Sequence, residues 1–313
     1  MSPHLHLKPA PLRLILEIAE TGQLQQAAAH CAMTQPAASR MLAEVERQCG
    51  APLFIRQPKG MSPTEIGTTV LRRARVILRE MQGMAEDVHA LRGGQAGSVH
   101  VGAVTGPAVG YLTASIRAIK RDTPEADITV DVMPSRELLG QLSLGQMDFA
   151  LARILPDFDS REFQITPLRD EKVTFCVRAG HPLAGAAQVG LADLHDQEWI
   201  MQSRGAPIRE ATMEAFAAAG LPEPRNIVNS PSILFTIAYL VQGDAIASIS
   251  EEVAQLLMRP PVNAGFAVLD HPLDIRVAPY YLLSLRRRPL SPLAARIRDA
   301  VIRATRVTPA PPG

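Results

Sequence analysis

The segment TQPAASR places short polar and cationic side chains at the start of a predicted helix. Gln35 can hydrogen-bond an adenine edge, Ser39 a phosphate or a base, and Arg40 a guanine or a phosphate. Thr34 is a suitable N-cap, and Pro36 lies in the first turn, where its missing N–H is harmless. These residue types at a helix start predict contact with the major groove of double-stranded DNA.

Three predicted helices would position these side chains. The first two are the segments PAPLRLILEIAET and LQQAAAH, which carry apolar residues at helical spacing. Gly22 lies between them and can end the first helix in a left-handed conformation. The helix after the break AMTQ has an apolar stripe of Met41, Leu42, Val45 and Cys49. Two short helices joined by a brief turn indicate a helix-turn-helix, whose second member, the recognition helix, enters the groove. An ordinary solvated amphipathic helix is the alternative.

The segment APLFIRQPKGMSPTEIG predicts a wing, which is a β-hairpin beside the recognition helix. The first strand is expected from Leu53 to Arg56, and the return strand is expected to end at Pro63. The tight turn between them holds Lys59 and Gly60. Arg56 and Lys59 lie where cations can contact backbone phosphates, which strengthens binding without reading the base sequence.

Residues 65–91 predict one helix of about seven turns, because the segment lacks proline and its apolar residues recur at intervals of three and four. The apolar stripe of so long a helix must be covered. A partner helix from a second subunit would cover it, and burial inside one large core is the alternative. The segment RGGQAGS then has the composition of a linker. We therefore expect a linker helix that dimerises.

The run AAAHCAMTQPAASRMLAEVERQCGAPLFIR, followed by MSPTEIG, resembles the N-terminal domain of the LysR-type transcriptional regulators. The helix pair, the Gln-Pro start, the Leu-Phe-x-Arg strand and the Thr-x-x-Gly helix start occur in the family's order. Family members more often have Ser or Thr before the alanines, where this chain has LQQAAAH, so Gln25 would replace a small hydroxyl at the phosphate backbone. The resemblance is close in this domain and in the linker helix. In the rest of the chain it extends only to the overall layout.

The C-terminal two-thirds of the chain have the pattern of an α/β ligand-binding domain. Strands expected at 98–104, 126–133 and 148–153 alternate with helices, which implies parallel strands with right-handed crossovers. Ligands of such sheets lie at the carboxyl ends of the strands, beside helix N-termini. Thr105 and Ser135 are at those positions, although capping a helix is the commoner role for such residues.

Arg153 is predicted to end the third of these strands and to face a cleft. Its fork of donors suits a carboxylate or sugar hydroxyls. A salt bridge to Asp157, Asp159 or another acid is the alternative. We expect Arg153→Ala to abolish the response to a ligand and to leave DNA binding intact.

A second module begins with a strand expected at 171–178. The chain is expected to return to the first module near 268, so that two crossings join the modules around a cleft, as in the periplasmic-binding-protein fold. The candidate ligand contacts of the second module follow two later strands, at an edge suited to anions; they are Gln202, Ser203, Arg204, Asn229 and Ser230.

The expected fold class is α/β, with a winged helix-turn-helix and a long linker helix ahead of a two-module effector-binding domain of the type 2 periplasmic-binding-protein kind. The expected divisions are a DNA-binding domain at 1–65, a linker and dimerisation helix at 66–92, and an effector-binding domain at 93–313. Within the last, module I is expected at 93–165 and 268–313, and module II at 166–267.

The 313 residues are 47% hydrophobic and 20% charged, as is typical of a soluble globular chain, and a net charge of +1 indicates no particular partner. Cys31, Cys49 and Cys176 are scattered without metal-binding spacing, and the sequence has no recognisable targeting segment or membrane span, so we expect a cytoplasmic protein. Nucleophile-elbow, P-loop and dinucleotide-binding motifs are absent from the sequence. We therefore predict no enzymatic activity, cofactor or metal. A two-module α/β enzyme, or a binding protein acting on a small anionic substrate, is the alternative.

The residue patterns and the resemblance together predict a sequence-specific transcriptional regulator of the LysR type. The resemblance implies a homodimer or homotetramer, an interrupted inverted repeat in a promoter as its binding site, contact with RNA polymerase and control by a small inducer. We expect a small organic acid, aromatic or sugar-derived, as that inducer, and a neutral sugar as the second choice.

Overall fold

The computed structural model describes residues 6–58, 60–93 and 97–306. In these ranges the α-helices are α1 Pro9–Thr21, α2 Leu24–His30, α3 Gln35–Cys49, α4 Glu65–Gly93, α5 Thr105–Pro107, α6 Thr113–Asp122, α7 Ser135–Ser143, α8 Leu191–Leu194, α9 Pro207–Ala218, α10 Ile233–Gln242, α11 Glu251–Met258 and α12 Pro292–Arg306. The strands are β1 Phe54–Gln57, β2 Gly60–Pro63, β3 Ser98–Ala103, β4 Asp127–Val132, β5 Phe149–Ala152, β6 Phe163–Pro167, β7 Glu171–Arg178, β8 Trp199–Met201, β9 Ile227–Asn229, β10 Ile246–Ser250, β11 Phe266–Val268, β12 Arg276–Val277 and β13 Tyr281–Leu285. A π-helical turn, Ala108–Leu112, joins α5 to α6, and a 3-10 turn, Ser160–Glu162, precedes β6.

Helices α1, α2 and α3 form a small core because each buries one apolar face. Gly22 ends α1 with φ +67°, and its N–H donates to the carbonyl oxygen of Ile18 over 2.9 Å. The alanines of α2 and α3 let the helices approach closely, so the polar start of α3 is held at the surface. The fully buried side chains of this core include Leu14, Ile15, Ile18, Ala27, Ala38 and Leu53.

The predicted wing is present, with its first strand one residue later than expected. Strands β1 and β2 pair antiparallel, with Phe54 opposite Pro63. Gly60 has φ +142°, and a Cβ there would overlap the carbonyl oxygen of Gly22. The N–H of Met61 donates to that same oxygen over 2.7 Å. The wing is therefore anchored to the turn that ends α1.

The start of α4 is packed backbone to backbone against the residues that lead into the wing. The side-chain oxygen of Thr64 accepts from the N–H of Gly67 over 2.9 Å and its hydroxyl donates to the carbonyl oxygen of Pro52 over 2.9 Å. A Cβ on Gly67 would overlap the carbonyl oxygen of Leu53. Glycine at this position is therefore required by the close approach.

We expect Gly67→Ala to destabilise the N-terminal domain by about 1–3 kcal/mol, because the overlap with the Leu53 backbone can be relieved only by moving the wing or the helix. Gly140→Ala on α7 is the matched control, since a Cβ there meets nothing within 4 Å and alanine is favoured over glycine in a helix. Urea unfolding followed by circular dichroism would measure both. Equal midpoints for the two variants would contradict the packing at Gly67.

Helix α4 belongs to the N-terminal core only along its first half. Leu71 and Ala74 are buried in that core. The later apolar residues lie three or four apart and are exposed within the single chain: Ile77, Met81, Met84 and Val88. Neither this helix, at 29 residues, nor any other in the described ranges is apolar enough over sufficient length to cross a membrane.

The first of the two larger sheets has the strand order β4-β3-β5-β13-β6. Strands β4, β3 and β5 are parallel, and β13 runs antiparallel to β5 and β6. One face packs Val101 and Leu282 under α6 and α12, and the other packs Leu283 under α7. The predicted parallel α/β arrangement is confirmed for these strands.

The second sheet has the order β11-β7-β10-β8-β9, and β12 also pairs with β7. Strand β12 pairs with β7, and its Val277 and the preceding Ile275 are buried in the second module's core. The return to the first sheet therefore falls after Val277 and not near 268 as predicted. The outward crossing falls after Pro167, two residues later than the predicted boundary at 165, since β6 pairs with β13 of the first sheet. The modules are thus joined by two crossings, as expected.

Candidate functional site

The start of α3 presents polar side chains because its opposite face is buried. Ala38 is fully buried in the three-helix core. The carbonyl oxygen of Thr34 accepts from the N–H groups of Ala37 and Ala38 at 3.0 Å, so Thr34 is the N-cap, although its hydroxyl does not bond a helix N–H. The outer face at this end is formed by Thr34, Gln35, Pro36, Ser39 and Arg40, of which only Ser39 is half-buried.

The polar side chains of this face have no internal partner. In the part of the chain that the structure describes, no hydrogen bond or ion pair engages the side chains of Gln35, Ser39 or Arg40, or that of the exposed Gln25 on α2. Farther along α3, by contrast, the Arg47 guanidinium donates to the Glu44 carboxylate over 2.6 and 2.8 Å and lowers its pKa to about 2. The groups at the helix start are therefore free to hydrogen-bond an external partner, and their types fit base edges.

The wing brings a cation to the surface of the same domain. Arg56 lies on β1 opposite Met61 and is exposed. Its guanidinium has no ion pair with any residue of the described ranges. Lys59, the other predicted cation of the wing, lies outside the described residues.

The two larger sheets face each other across a cavity of about 530 Å³. Its walls are the carboxyl ends of β3, β4 and β5 on one side and of β8, β9 and β10 on the other, with the helices that follow them. Seven of the eight residues predicted to contact an effector line this cavity: Thr105, Ser135, Arg153, Gln202, Ser203, Arg204 and Ser230.

Asn229, the eighth, has a different place. Its side-chain oxygen accepts from Nη1 of Arg209, and Arg209 also donates to the carbonyl oxygen of Gln202 over 3.2 Å. Arg209 is buried and neither residue lines the cavity, so Asn229 satisfies one N–H of a buried guanidinium. Asn229 is therefore a hydrogen-bond partner of Arg209 outside the cavity lining, and its contact with a ligand stays a prediction.

Arg153 lies directly after β5, one residue beyond the end of the strand and not at its last position as predicted, and a buried acid pairs with it. Its Nη2 donates to Oε2 of Glu171, and its Nε donates to the carbonyl oxygen of Ala278 over 3.0 Å. Only 11% of the Arg153 side chain and 3% of the Glu171 side chain are exposed. The salt-bridge alternative is correct, with Glu171 of the second module as the partner in place of the nearby aspartates. The pair therefore ties the two modules together beside the cavity.

Two serines that were not among the predicted site residues also line the cavity. Ser248 and Ser250 project from the same side of β10, because residues two apart on a strand share a face. They are 3% and 2% exposed, and neither hydroxyl has a hydrogen-bond partner among the described residues. Such groups mark places where water or a ligand supplies the bond. The available signal was the segment IASIS, in which hydroxyls interrupt an apolar strand.

Behind the cavity, the modules also meet at Glu252, near the start of α11. The hydroxyl of Tyr111 donates to Oε1 of Glu252 over 3.4 Å. A Cβ on Gly110 would lie only 2.7 Å from Cγ of Glu252, so this approach is close. Burial, with repulsion from Glu171, raises the pKa of Glu252. Glu252 belongs to the contact between the modules and does not line the cavity.

The thiols are not activated as nucleophiles, and the described ranges hold no cluster suited to a metal ion. Burial raises the pKa of Cys31 and of Cys49, and raises that of Cys176 to about 12, so these thiols stay protonated near neutral pH. No group of three or more His, Cys, Asp or Glu residues in the described ranges is arranged to hold a metal ion.

Two family models match this chain. The model of the LysR substrate binding domain matches residues 92–306, and that of the bacterial regulatory helix-turn-helix protein, lysR family, matches residues 10–68. The chain belongs to the LysR family of transcriptional regulators. Because members of the LysR family are regulators and not enzymes, the alternative of a two-module enzyme is set aside.

Two related regulators are similar in sequence to this LysR regulator over most of its length. The HTH-type transcriptional regulator GbpR of Rhizobium radiobacter is 38% identical over 248 residues, which are 79% of this chain and 82% of that protein. The regulator of the same name in Azospirillum brasilense is 34% identical over 299 residues, which are 95% of this chain and 86% of that protein.

Solved structures show the same fold. Full-length CbnR complexed with its target DNA is 23% identical, has a TM-score of 0.66, and is matched over 95% of this chain and 100% of that chain. ArgP from Mycobacterium tuberculosis is 17% identical, has a TM-score of 0.69, and is matched over 96% of this chain and 98% of that chain. This LysR regulator therefore combines a helix-turn-helix with a two-module effector-binding domain.

Proposed function

We propose that this LysR-type regulator reads an interrupted inverted repeat in a promoter and changes its action when a small molecule fills the cleft between its modules. The observation that supports the first half is the exposed polar face at the start of α3, whose side chains have no partner among the described residues. Gln35, Ser39 and Arg40 would contact base edges in the major groove.

The DNA backbone would be held by residues around this face. Phosphate contacts position the protein and add affinity that falls as salt rises. The residues proposed for this role are Gln25, Thr34, Arg56 and Lys59, with Pro36 in van der Waals contact beside them.

A second copy of the chain would cover the exposed apolar stripe of α4. The stripe, Ile77 to Val88, has helical spacing and no cover within the chain's described residues. Paired linker helices would set two winged domains about one helical turn apart, on the two halves of the repeat. We extend this to a dimer of dimers that works in the cytoplasm and contacts RNA polymerase. The proposed divisions are a DNA-binding domain up to 65, a linker helix to 92 and an effector-binding domain beyond.

The charges that line the cleft favour one of the two inducer classes expected from the sequence, a small organic acid or a neutral sugar. Arg153 is paired with Glu171, and Arg136 at the rim is paired with Asp157. Arg204, the third arginine of the lining, is exposed. An organic acid would therefore find no unpaired buried cation among the arginines that line the cavity, because the buried Arg209 lies outside the lining and is hydrogen-bonded to Asn229 and to the Gln202 carbonyl oxygen. The desolvation of the acid would go largely uncompensated.

The hydroxyl groups of a ligand suit this cleft better than a carboxylate does. The Ser248 and Ser250 hydroxyls are buried and lack partners in the described structure, and the Arg153–Glu171 pair offers donors and an acceptor side by side. A ligand hydroxyl donates and accepts at once, so several of them could satisfy these groups together. We therefore propose a neutral polyhydroxylated effector of monosaccharide size, in place of the organic acid expected first.

Thermal melting of the full chain against neutral monosaccharides, sugar acids and aromatic acids would test this assignment. A ligand at about a hundred times its Kd should add about 2.7 kcal/mol of stability. We expect neutral sugars to raise the melting temperature. Ser248→Ala with Ser250→Ala should reduce that rise, while the free protein should keep its stability because no hydrogen bond of the described structure is lost.

Ser160→Ala serves as the matched control, since Ser160 is exposed and does not line the cavity. Its ligand-induced rise should equal that of the unaltered protein. A rise confined to acids would restore the organic-acid expectation. A sugar-induced rise that survives both serine substitutions would place the ligand outside this cleft.

A further inference from the structure

A cavity of about 370 Å³ lies where α4 meets the first module, and it shares no lining residue with the effector cleft. Arg72, Arg73 and Val76 form its helix wall, and the turn Ser160–Glu162 and the end of β13 contribute to the opposite wall. The two walls are close, because a Cβ on Gly145 would lie 3.0 Å from Cγ2 of Val76. A volume of this size is typical of small-ligand sites.

The walls of this junction cavity carry more positive than negative charge. Two further acids, Glu80 and Asp148, pair with Arg288 from outside the lining. Five positive charges against these two and the two acids of the lining leave a net charge of +1. The charged residues of the lining are the arginines Arg72, Arg73, Arg161, Arg287 and Arg288 and the acids Asp159 and Glu162.

Two of the five arginines are free to bind something else. Ion pairs engage Arg72, Arg161 and Arg288. Arg73 on α4 and Arg287 after β13 are exposed, and neither has an ion pair or side-chain hydrogen bond with a residue that the structure describes. Each offers a planar fork of N–H donors, which matches the oxygens of a phosphate or carboxylate group.

We propose that the junction cavity binds a small oxyanion with two or more negative charges, such as a phosphorylated or polycarboxylate metabolite. Its oxyanion groups would bridge Arg73 and Arg287, the two guanidinium groups of the lining that have no acid as partner among the described residues. More than one charge is needed, because a single charge gains little at a site open to solvent and salt.

The position of the site gives such a ligand a regulatory consequence. One wall belongs to the helix that carries the DNA-binding domain and the other to the effector-binding domain, so a bound anion ties the two together. A ligand that prefers one orientation of α4 shifts the population towards it. By linkage, DNA that prefers the same orientation tightens anion binding by the same factor.

Isothermal titration of the full chain with pyrophosphate, with sodium chloride holding the ionic strength constant, tests the site. The unaltered protein binds pyrophosphate, and Arg73→Gln with Arg287→Gln raises the Kd at least about tenfold, through loss of two bidentate contacts. Arg73→Lys with Arg287→Lys keeps the charge without the forks and weakens binding less. Arg121→Gln, on the exposed face of α6 and outside the cavity lining, leaves the Kd unchanged.

Equal affinity of the unaltered protein and the double glutamine variant overturns the proposal, because pyrophosphate then binds another cationic surface such as the DNA-binding face. An absence of binding at millimolar pyrophosphate overturns it as well. Both substituted arginines are exposed and unpaired among the described residues, so the double variant keeps its melting temperature, and weaker binding does not reflect unfolding. Citrate in the same titration distinguishes a carboxylate ligand from a phosphate ligand.

Discussion

Replacing Arg153 with alanine is expected to lower the free energy of unfolding of the effector-binding domain by about 3–5 kcal/mol, because the buried Glu171 carboxylate would lose its cation. The hydrogen bond from Nε of Arg153 to the Ala278 carbonyl oxygen would be lost as well. The variant would therefore lose its effector response partly through a loosened contact between the modules. Urea unfolding of the full chain, followed by circular dichroism, measures the change.

A second substitution distinguishes two causes of the lost stability, the unpaired charge of Glu171 and the missing contacts of the Arg153 guanidinium. Arg153→Ala combined with Glu171→Gln removes both charges, so the combined variant is expected to recover much of the lost stability. Arg136→Ala is the matched control, since the Arg136–Asp157 pair is exposed at the cavity rim and should matter little. If Arg153→Ala is no less stable than Arg136→Ala, the buried pair does not hold the modules together.

The combined variant also bears on the ligand. If the combined variant is as stable as the unaltered protein but does not respond to the effector, the Arg153–Glu171 pair takes part in ligand binding. Retained response in Arg153→Ala would remove Arg153 from the effector contacts. Operator affinity without effector should be unchanged in each variant, because the pair lies in the effector-binding domain.

Replacing Arg40 with alanine is expected to weaken binding to the specific DNA site about tenfold or more for each half-site, because a guanidinium contact to a base edge or phosphate would be lost. Arg40 is exposed and has no internal partner in the described structure, so the melting temperature should not change. The measurement is a binding titration at fixed salt, on DNA selected from a random pool by the unaltered protein.

Arg47→Ala tests whether the effect belongs to the start of the recognition helix. Arg47 lies on the same helix, carries the same charge and pairs with Glu44 near the other end. Its substitution should leave specific binding nearly unchanged. A similar loss in both variants would mean that Arg40 contributes only general electrostatic attraction, and an unchanged affinity in Arg40→Ala would remove it from the interface.

The N-terminal domain was predictable because its determinants are local. Gly22 ends α1, Thr34 caps α3 and Thr64 caps α4, each through bonds to residues within a few positions. The polar start of α3 follows from helical periodicity, since Ala38, Leu42 and Val45 define the buried face and leave the other exposed. The ends of the parallel strands were likewise predictable, because alternation of strand and helix sets which residues follow each strand.

The partners of the cleft residues were decided by tertiary structure. Arg153 was expected at a strand end, but its pairing with Glu171 depends on how the second sheet is placed against the first. Asn229 was expected in the cavity, but the buried Arg209 engages it across 20 residues of sequence. In the sequence, the serines of β10 look like ordinary strand residues. Only the structure shows that their buried hydroxyls have no hydrogen-bond partner among the described residues.

The amino-acid sequence by itself determined the helix-turn-helix, the wing, the linker helix and the two-module layout, because caps, glycine turns and hydrophobic periods act over a few residues. Only the tertiary structure decided that the return crossing follows Val277, that the cleft arginine is neutralised, and that Arg288 meets Glu80 from 208 residues away. The physical reason is that charge pairing and burial depend on which distant segments come together. Periodicity along the chain carries no information about that choice.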